Sequence, residues 1–349
     1  MPQRAPVGED TDSPCTDGGA RVTDGIDLEK EGLGPSDLRA ARPRVAKNAR
    51  VTPLLVSENL SERFGHKVAL KCESLQVGGA FKMRGATNFI ARLSAADRER
   101  GVLTYSSGNH GIAVALAARR AGVKAVVVMP ETAPVLKLER VRSLGAEVHR
   151  AGTTSIERKE RAEELQRERG LTMVPPFDHP WIIAGQSTCG VEILEQMPDA
   201  GTVLVPVGGG GLVSGVALAC AYHRAGIRVI GVEPEGAAKM SASLRAGAPA
   251  TLPAARSIAD GLLPSRPGDL TFAVCRAFVS DVVTVPDEAI REAAAFLLTT
   301  EHLLVEWSGA VGVAALLSGS ARTFEVPTAV VLSGGNADPA LLLEQPGQA

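Results

Sequence analysis

The sequence predicts an α/β fold of mostly parallel sheets covered by helices, and three observations carry that expectation. Short, β-branched, almost wholly apolar runs alternate with longer segments that have one apolar face. The runs lack the polar alternation of a sheet with one wet face, so they belong in sheets buried on both sides. At 349 residues the chain is long enough for about two domains with cores of their own.

In chain order, the N-terminal stretch is polar, with acids and prolines and no apolar h-region. Residues 1–34 are therefore expected to form a flexible tail rather than a secretory signal. A helix is expected over 36–46, followed by an extended segment over 50–56 that contains the Thr52-Pro53 pair. Strands are expected at 68–71, 101–105, 125–129, 147–150, 202–207, 228–232 and 328–332. Helices are expected between them, over 111–121, 134–144, 156–169, 212–224 and 288–298. In the last of these, Ala289 and Ile290, Ala293 and Ala294, and Leu297 and Leu298 recur on one helical face.

Composition narrows the function. Lys plus Arg is 37 against Asp plus Glu at 39, a formal charge of -2, so no broad cationic field is available to nucleic acid or anionic lipid. The apolar runs are far shorter than the roughly 18 to 20 residues of a membrane helix. Neither nucleic acid nor membrane is an expected partner, and the cytoplasm is the expected location. The 5 cysteines are an odd number without a Cys-x-x-Cys pair, which points to reduced thiols rather than a disulfide framework or a zinc knuckle.

Four segments have the residue types that chemistry needs. The run 203–207 passes into Gly208-Gly209-Gly210-Gly211 and then into the apolar Leu212. A strand, a glycine turn and a helix start make an anion site, because bare backbone N–H groups and the positive end of the helix dipole face the ligand. Neither Gly-x-Gly-x-x-Gly nor a Walker loop can be read there, so a lone phosphate is expected, with a simple tight turn as the competing reading. Ser106-Ser107-Gly108-Asn109-His110 gathers hydroxyl, amide and imidazole groups at a second helix start, suited to a substrate carboxylate, although Ser107 or Asn109 alone would also serve as a helix cap. Lys82 follows Gly78-Gly79-Ala80-Phe81. In a partly apolar pocket such an amine has a lowered pKa and forms a Schiff base with a carbonyl. Ser333-Gly334-Gly335-Asn336 ends an apolar strand, where open α/β sheets bind ligands.

Reactive lysine, phosphate cradle, carboxylate clamp and polar strand end together suit pyridoxal phosphate chemistry on an amino acid. Through Gly79 to Ala86, Ser106 to Gly111, Pro206 to Leu212 and Ser333 to Asn336, the chain resembles the fold-type II pyridoxal-phosphate enzymes of the serine/threonine dehydratase and serine racemase group. The resemblance runs from about residue 35 to residue 338. It implies a two-domain fold like that of the tryptophan synthase β chain, with a small domain over 101–178 and a large domain from 35–100 and 179–349. It implies that Lys82 holds pyridoxal 5'-phosphate, that Phe81 packs beside its ring, that Asn109 bonds the ring oxygen, that Gly208, Gly209, Gly210, Gly211 and Leu212 hold the phosphate, and that Ser333 faces the ring nitrogen. Ser106, Ser107, Asn109, His110 and Arg158 would contact the substrate, and homo-oligomers are usual in the group.

What this implies for activity is an ammonia-lyase that converts a β-hydroxy amino acid such as L-threonine or L-serine to a 2-oxo acid and ammonia. A hydroxyl at the ring nitrogen leaves a weaker electron sink than a carboxylate and so favours expulsion of a β-leaving group. Ser107 is the telling position, because the group's racemases have Ser there where its dehydratases often have Ala. A racemase with Lys82 and Ser107 as opposed acid and base is the alternative. Gly78 and Ala80, where the group has Thr and Ser, and Trp307, where it has Pro, point to a substrate other than free Ser or Thr as a further alternative. A binder that does no chemistry is the reading from another class, and Lys82 and Ser333 argue against it. Many members hold a divalent cation with a Glu and an acid six positions on. Here that pair is Glu233 and Lys239, so no metal site is expected, and pairing between the two side chains would replace it. The 13 residues after Asn336 lead to the expectation that no regulatory domain is appended.

Overall fold

The computed structural model describes residues 22–23, 25–106, 108–133, 135–322 and 325–337. Ser107 and residues 1–21 and 24 of the expected tail lie outside the described residues, whereas 25–34 of that tail belong to the fold, because Leu28 and Leu33 are fully buried against Leu38, Ile183 and Leu218. The strands assemble into two principal sheets. The larger has the order 281–285, 228–234, 202–206, 328–331, 68–71, 54–56, and all neighbours are parallel except the last pair. The smaller has the order 147–150, 125–129, 102–105, 172–173 and is parallel throughout. The α/β class read from the sequence is the class observed.

The expected strands form because their β-branched residues fill both faces of a covered sheet. Val68–Lys71, Ala125–Met129 and Thr202–Pro206 are buried at every position. Glu147–Arg150 is an edge strand and stays partly exposed, which fits its charged ends. In the larger sheet, chain order reverses between Thr202–Pro206 and Thr328–Val331, which are hydrogen-bonded neighbours. Such a reversal opens a crevice at the carboxyl ends of the strands. Gly208 and Ser333 both lie just beyond those ends.

Several helices follow sequence signals closely. Pro35–Val45 begins with Pro, and Ser155–Arg169 begins with a capping box between Thr154 and Glu157. Others have no legible period. Pro180–Gln196, Gly211–His223 and Trp307–Leu317 are buried on nearly every side, so they have no polar face to mark a turn of 3.6 residues. Pro180–Gln196 packs between Gly211–His223 and Lys82–Ala91. Its Gly185 meets Gly85 so closely that a Cβ there would stand 2.6 Å from the Gly85 Cα. That contact seats the helix that begins with Lys82 directly on the molecular core.

Beneath this helix, four ionised side chains are buried together. Arg84 donates to Glu73 Oε1 and Oε2 at 2.7 and 2.8 Å and to Glu192 Oε1 and Oε2 at 2.6 and 2.7 Å. Lys71 Nζ lies 2.6 Å from Glu192 Oε2. Two cations face two anions, so the group is neutral and each charge has partners, as burial requires.

Candidate functional site

Backbone bonds draw the separate segments into one place. Phe81 N donates to the Ser333 carbonyl at 3.0 Å, Gly335 N to Gly79 O at 2.8 Å and Glu306 N to Gly334 O at 3.0 Å. Ser333 Oγ donates to the Ser308 carbonyl at 3.4 Å, and Ser308 Oγ accepts from Gly261 N at 2.9 Å. The lysine segment, the polar strand end and the turn Asp260–Leu262 are therefore one connected framework. From the smaller sheet, Asn109 joins it. Its Nδ2 donates to Glu306 Oε1 at 2.5 Å, and its Oδ1 accepts from Asn336 Nδ2 at 2.8 Å.

Lys82 opens the helix Lys82–Ala91, and its Nζ donates to the Pro176 carbonyl at 2.6 Å. Burial disfavours the ammonium and pulls its pKa down to about 8. The Phe81 ring centroid is 5.1 Å from the same nitrogen. The residue after Pro176 reaches the glycine loop. A Cβ on Gly209 would stand 2.3 Å from the Phe177 ring, and one on Gly211 would stand 3.1 Å from Phe177 Cα. Pro176 and Phe177 thus bridge the amine and the loop. Thr271 Oγ1 holds the loop from the other side, donating to the Gly209 carbonyl at 2.7 Å. Asp178 accepts N–H bonds from Asp269, Leu270 and Thr271 and so caps the helix that supplies Thr271.

The loop suits an anion. Gly210, at φ 101°, turns the chain into the helix Gly211–His223. The first N–H groups of that helix, from Gly211 and Leu212 onward, have no acceptor within the helix and lie at the positive end of its dipole.

The His110 ring, expected among the substrate contacts, is held by the backbone. Its Nε2 is spent on the Val174 carbonyl at 3.1 Å. Burial, with the Lys82 charge adding to it, pushes its pKa down to about 3. The ring is neutral with its proton on Nε2, so Nδ1 has only a lone pair, and among the described residues nothing donates to it. The side chain offers an acceptor, not a donor.

Ser106 accepts from Gly108 N at 3.1 Å and shapes the turn before the helix Asn109–Ala121. Arg158 is half-buried. Its Nη1 donates to the Thr153 carbonyl at 3.2 Å, and its Nε has no partner among the described residues. Burial pulls its pKa down, while Glu157 and the neighbouring Tyr105 oppose the shift. Among the described residues, no hydrogen bond joins it to Lys82, Asn109 or Ser333.

Three contributors had no site role in the sequence reading: Glu306, the segment 176–178 and the cationic helix Val135–Ser143, although a helix was expected over 134–144. Burial, reinforced by Asp260, raises the Glu306 carboxyl to about 7, against the Asn109 amide and Lys137. Its sequence signal is an acid directly before an apolar helix, within the segment Glu306-Trp307-Ser308-Gly309. Lys137 Nζ reaches Asp260 Oδ2 at 2.6 Å and Arg140 Nη1 reaches Asn336 Oδ1 at 2.5 Å, so this helix crosses from the smaller sheet to the framework.

Comparison with known proteins gives a consistent picture. The sequence model of the family described as "Pyridoxal-phosphate dependent enzyme" matches residues 45–334. The chain is 43% identical over 302 residues to the L-threonine ammonia-lyase of Thermotoga maritima, covering 86% of this chain and 75% of that protein. It is 37% identical over 302 residues to the L-threo-3-hydroxyaspartate ammonia-lyase of Saccharomyces cerevisiae, covering 86% and 93%. The structure of maize serine racemase superposes with a TM-score of 0.84 at 39% identity, covering 87% of this chain and 94% of that one.

Proposed function

Because the chain belongs to the pyridoxal-phosphate dependent enzyme family, we propose that it is an ammonia-lyase that converts a β-hydroxy amino acid such as L-threonine or L-serine to a 2-oxo acid and ammonia. The observation that carries this reading is the buried Lys82 amine tied through Pro176 and Phe177 to a glycine loop at a helix start. The residues fit the cofactor. The loop has no side chains to crowd a phosphate and offers free N–H groups, and the amine has a pKa near 8. Gly208 to Leu212 would hold the phosphate, Lys82 the carbonyl carbon, Asn109 and Ser333 the polar edges of the ring, and Phe81 its flank.

When bound, pyridoxal phosphate supplies a carbonyl that condenses with the substrate amine and a ring that accepts the electron pair left at Cα. The Lys82 amine takes the Cα proton, and its lowered pKa keeps a useful fraction unprotonated at neutral pH. The β-hydroxyl leaves as water with the proton that Lys82 took, and the unsaturated amine released is hydrolysed to the 2-oxo acid and ammonia, so one water is lost and one regained. Ser106 and the N–H groups at the start of Asn109–Ala121 orient the carboxylate, with Arg158 at the margin.

A second reading is racemisation by Lys82 and Ser107, favoured by the likeness to maize serine racemase. Dehydration of a less common β-hydroxy amino acid is the third. Proton NMR in deuterated buffer with L- and D-serine, L-threonine, 3-hydroxyaspartate and 3-phenylserine separates them. A 2-oxo acid with ammonia identifies the lyase and its substrate. Exchange at Cα with inversion and no oxo acid identifies the racemase. The reading has the enzyme at work in the cytoplasm, in keeping with buried, unpaired Cys72, Cys189, Cys220 and Cys275. No helix among the described residues is long and apolar enough to cross a membrane. Sedimentation tests the homo-oligomer that the family resemblance implies.

A further inference from the structure

One lysine that takes no part in this chemistry is more fully enclosed than Lys82. Lys239 opens the helix Lys239–Ala246, and its side chain and that of Glu233 are both wholly buried. Its Nζ has four oxygens around it: the carbonyls of Val207 at 2.8 Å, Ala237 at 3.0 Å and Leu262 at 3.0 Å, and Glu233 Oε1 at 3.0 Å. A cation at a helix start opposes the dipole. Glu233 reconciles the two, since its carboxylate also accepts from Met240 N, Ser241 N and Ser241 Oγ, each at 2.9 Å.

The carbonyls that Lys239 gathers belong to the walls of the glycine loop. Val207 is the residue before Gly208, and its N–H is fixed on the Val232 carbonyl at 2.9 Å. Leu262 closes the turn Asp260–Leu262, whose Gly261 carbonyl lies 3.2 Å from where a Cβ on Gly208 would stand. Ala237 closes the turn that follows strand Arg228–Pro234. Three chain segments that meet at the start of the loop therefore share one ammonium. Each of its protons has an acceptor, and without it three buried carbonyls lose a donor, a costly outcome for backbone groups out of reach of water.

We propose that Lys239 is a positioning residue for the phosphate loop, a cation tethered to the chain that fixes the approach to Gly208–Gly211 and makes cofactor retention independent of dissolved metal ions. The inference rests on the cofactor reading above. A purely structural lysine would support the fold without regard to phosphate. One that aims the loop acts on the phosphate-dependent share of cofactor affinity.

The test compares pyridoxal phosphate with pyridoxal, which lacks the phosphate, by titrating apoprotein and reading absorbance and equilibrium dialysis. Wild-type protein dialysed against a chelator is expected to bind pyridoxal phosphate equally well with and without potassium or magnesium at constant ionic strength. Lys239→Met is expected to weaken pyridoxal phosphate binding by about tenfold or more while leaving pyridoxal affinity within about twofold. Lys239→Ala is expected to regain affinity when methylammonium or potassium is added. Should Lys239→Met fail to fold, Lys239→Gln keeps an amide donor without the charge and carries the same comparison. Equal weakening toward both ligands, or a wild-type protein that needs added metal for affinity, overturns the inference. A wild-type protein that binds neither ligand overturns the cofactor reading and this inference together.

Discussion

The Lys82 ammonium donates to the Pro176 carbonyl at 2.6 Å, and the same burial that shortens its list of partners pulls its pKa down to about 8. An exposed lysine titrates near 10.4. In apoprotein, Lys82 is therefore expected to react with an amine-directed reagent with a midpoint near pH 8, well below the surface lysines, as read by mass-spectrometric footprinting across pH. Between about pH 8 and 10.5 the unfolded chain binds the proton that the folded chain has released, so apoprotein stability rises with pH through that window. A Lys82 profile that tracks the exposed lysines sinks both expectations.

The contact between Gly209 and Phe177 leaves no room for a methyl group, since a Cβ would stand 2.3 Å from the ring. The ring atoms nearest are close to its attachment, so the backbone must shift. Gly209→Ala is expected to preserve the fold and weaken pyridoxal phosphate binding by about tenfold or more. Adding Phe177→Ala to the same chain is expected to recover part of that loss. Cofactor titration of the single and double variants checks this, and no recovery in the double variant would mean that the loop fails for another reason.

Local signals made part of this molecule readable. Gly208–Gly211 between an apolar strand and a helix, and Lys82 after a glycine pair, stand out because their chemistry depends on neighbours in sequence. The strands were legible because burial on both faces leaves no polar residues inside them. Helix Pro180–Gln196 was not, for the same reason: full burial removes the polar face from which a helical period is read. Glu306 meets Asn109 across 197 positions of sequence, and Pro176 contributes a carbonyl that every residue possesses. Neither contact leaves a mark that a linear reading can find. The tautomer of His110 was equally hidden, because it is set by the Val174 carbonyl, 64 positions away, that takes its proton.

Two positions beyond Lys82, Arg84 spreads its guanidinium over Glu73 and Glu192. Removing one member of a buried, hydrogen-bonded charge group leaves the others unpaired. Arg84→Met is expected to cost about 3–5 kcal/mol in urea or thermal unfolding. Arg84→Lys is expected to restore little, because a single ammonium cannot match two bidentate pairs. A loss below about 1 kcal/mol would show that the network closes without the fork.

Glu306 provides the sharpest pH signature. Burial and the nearby Asp260 raise its carboxyl from the ordinary 4.5 to about 7. Across that interval the folded chain keeps a proton that the unfolded chain has lost, so folding stability falls as pH rises from about 4.5 to 7 and the cost is complete above it. The shift corresponds to about 1–3 kcal/mol once partial relaxation of the site is allowed for. Glu306→Gln retains an acceptor for the Asn109 amide and cannot ionise. The variant is therefore expected to lose less stability than wild type between about pH 5 and pH 8. Urea unfolding of both proteins at the two pH values measures the difference, and profiles that stay parallel would mean that Glu306 is ionised throughout and that the Asn109 amide, aided by Lys137, outweighs burial.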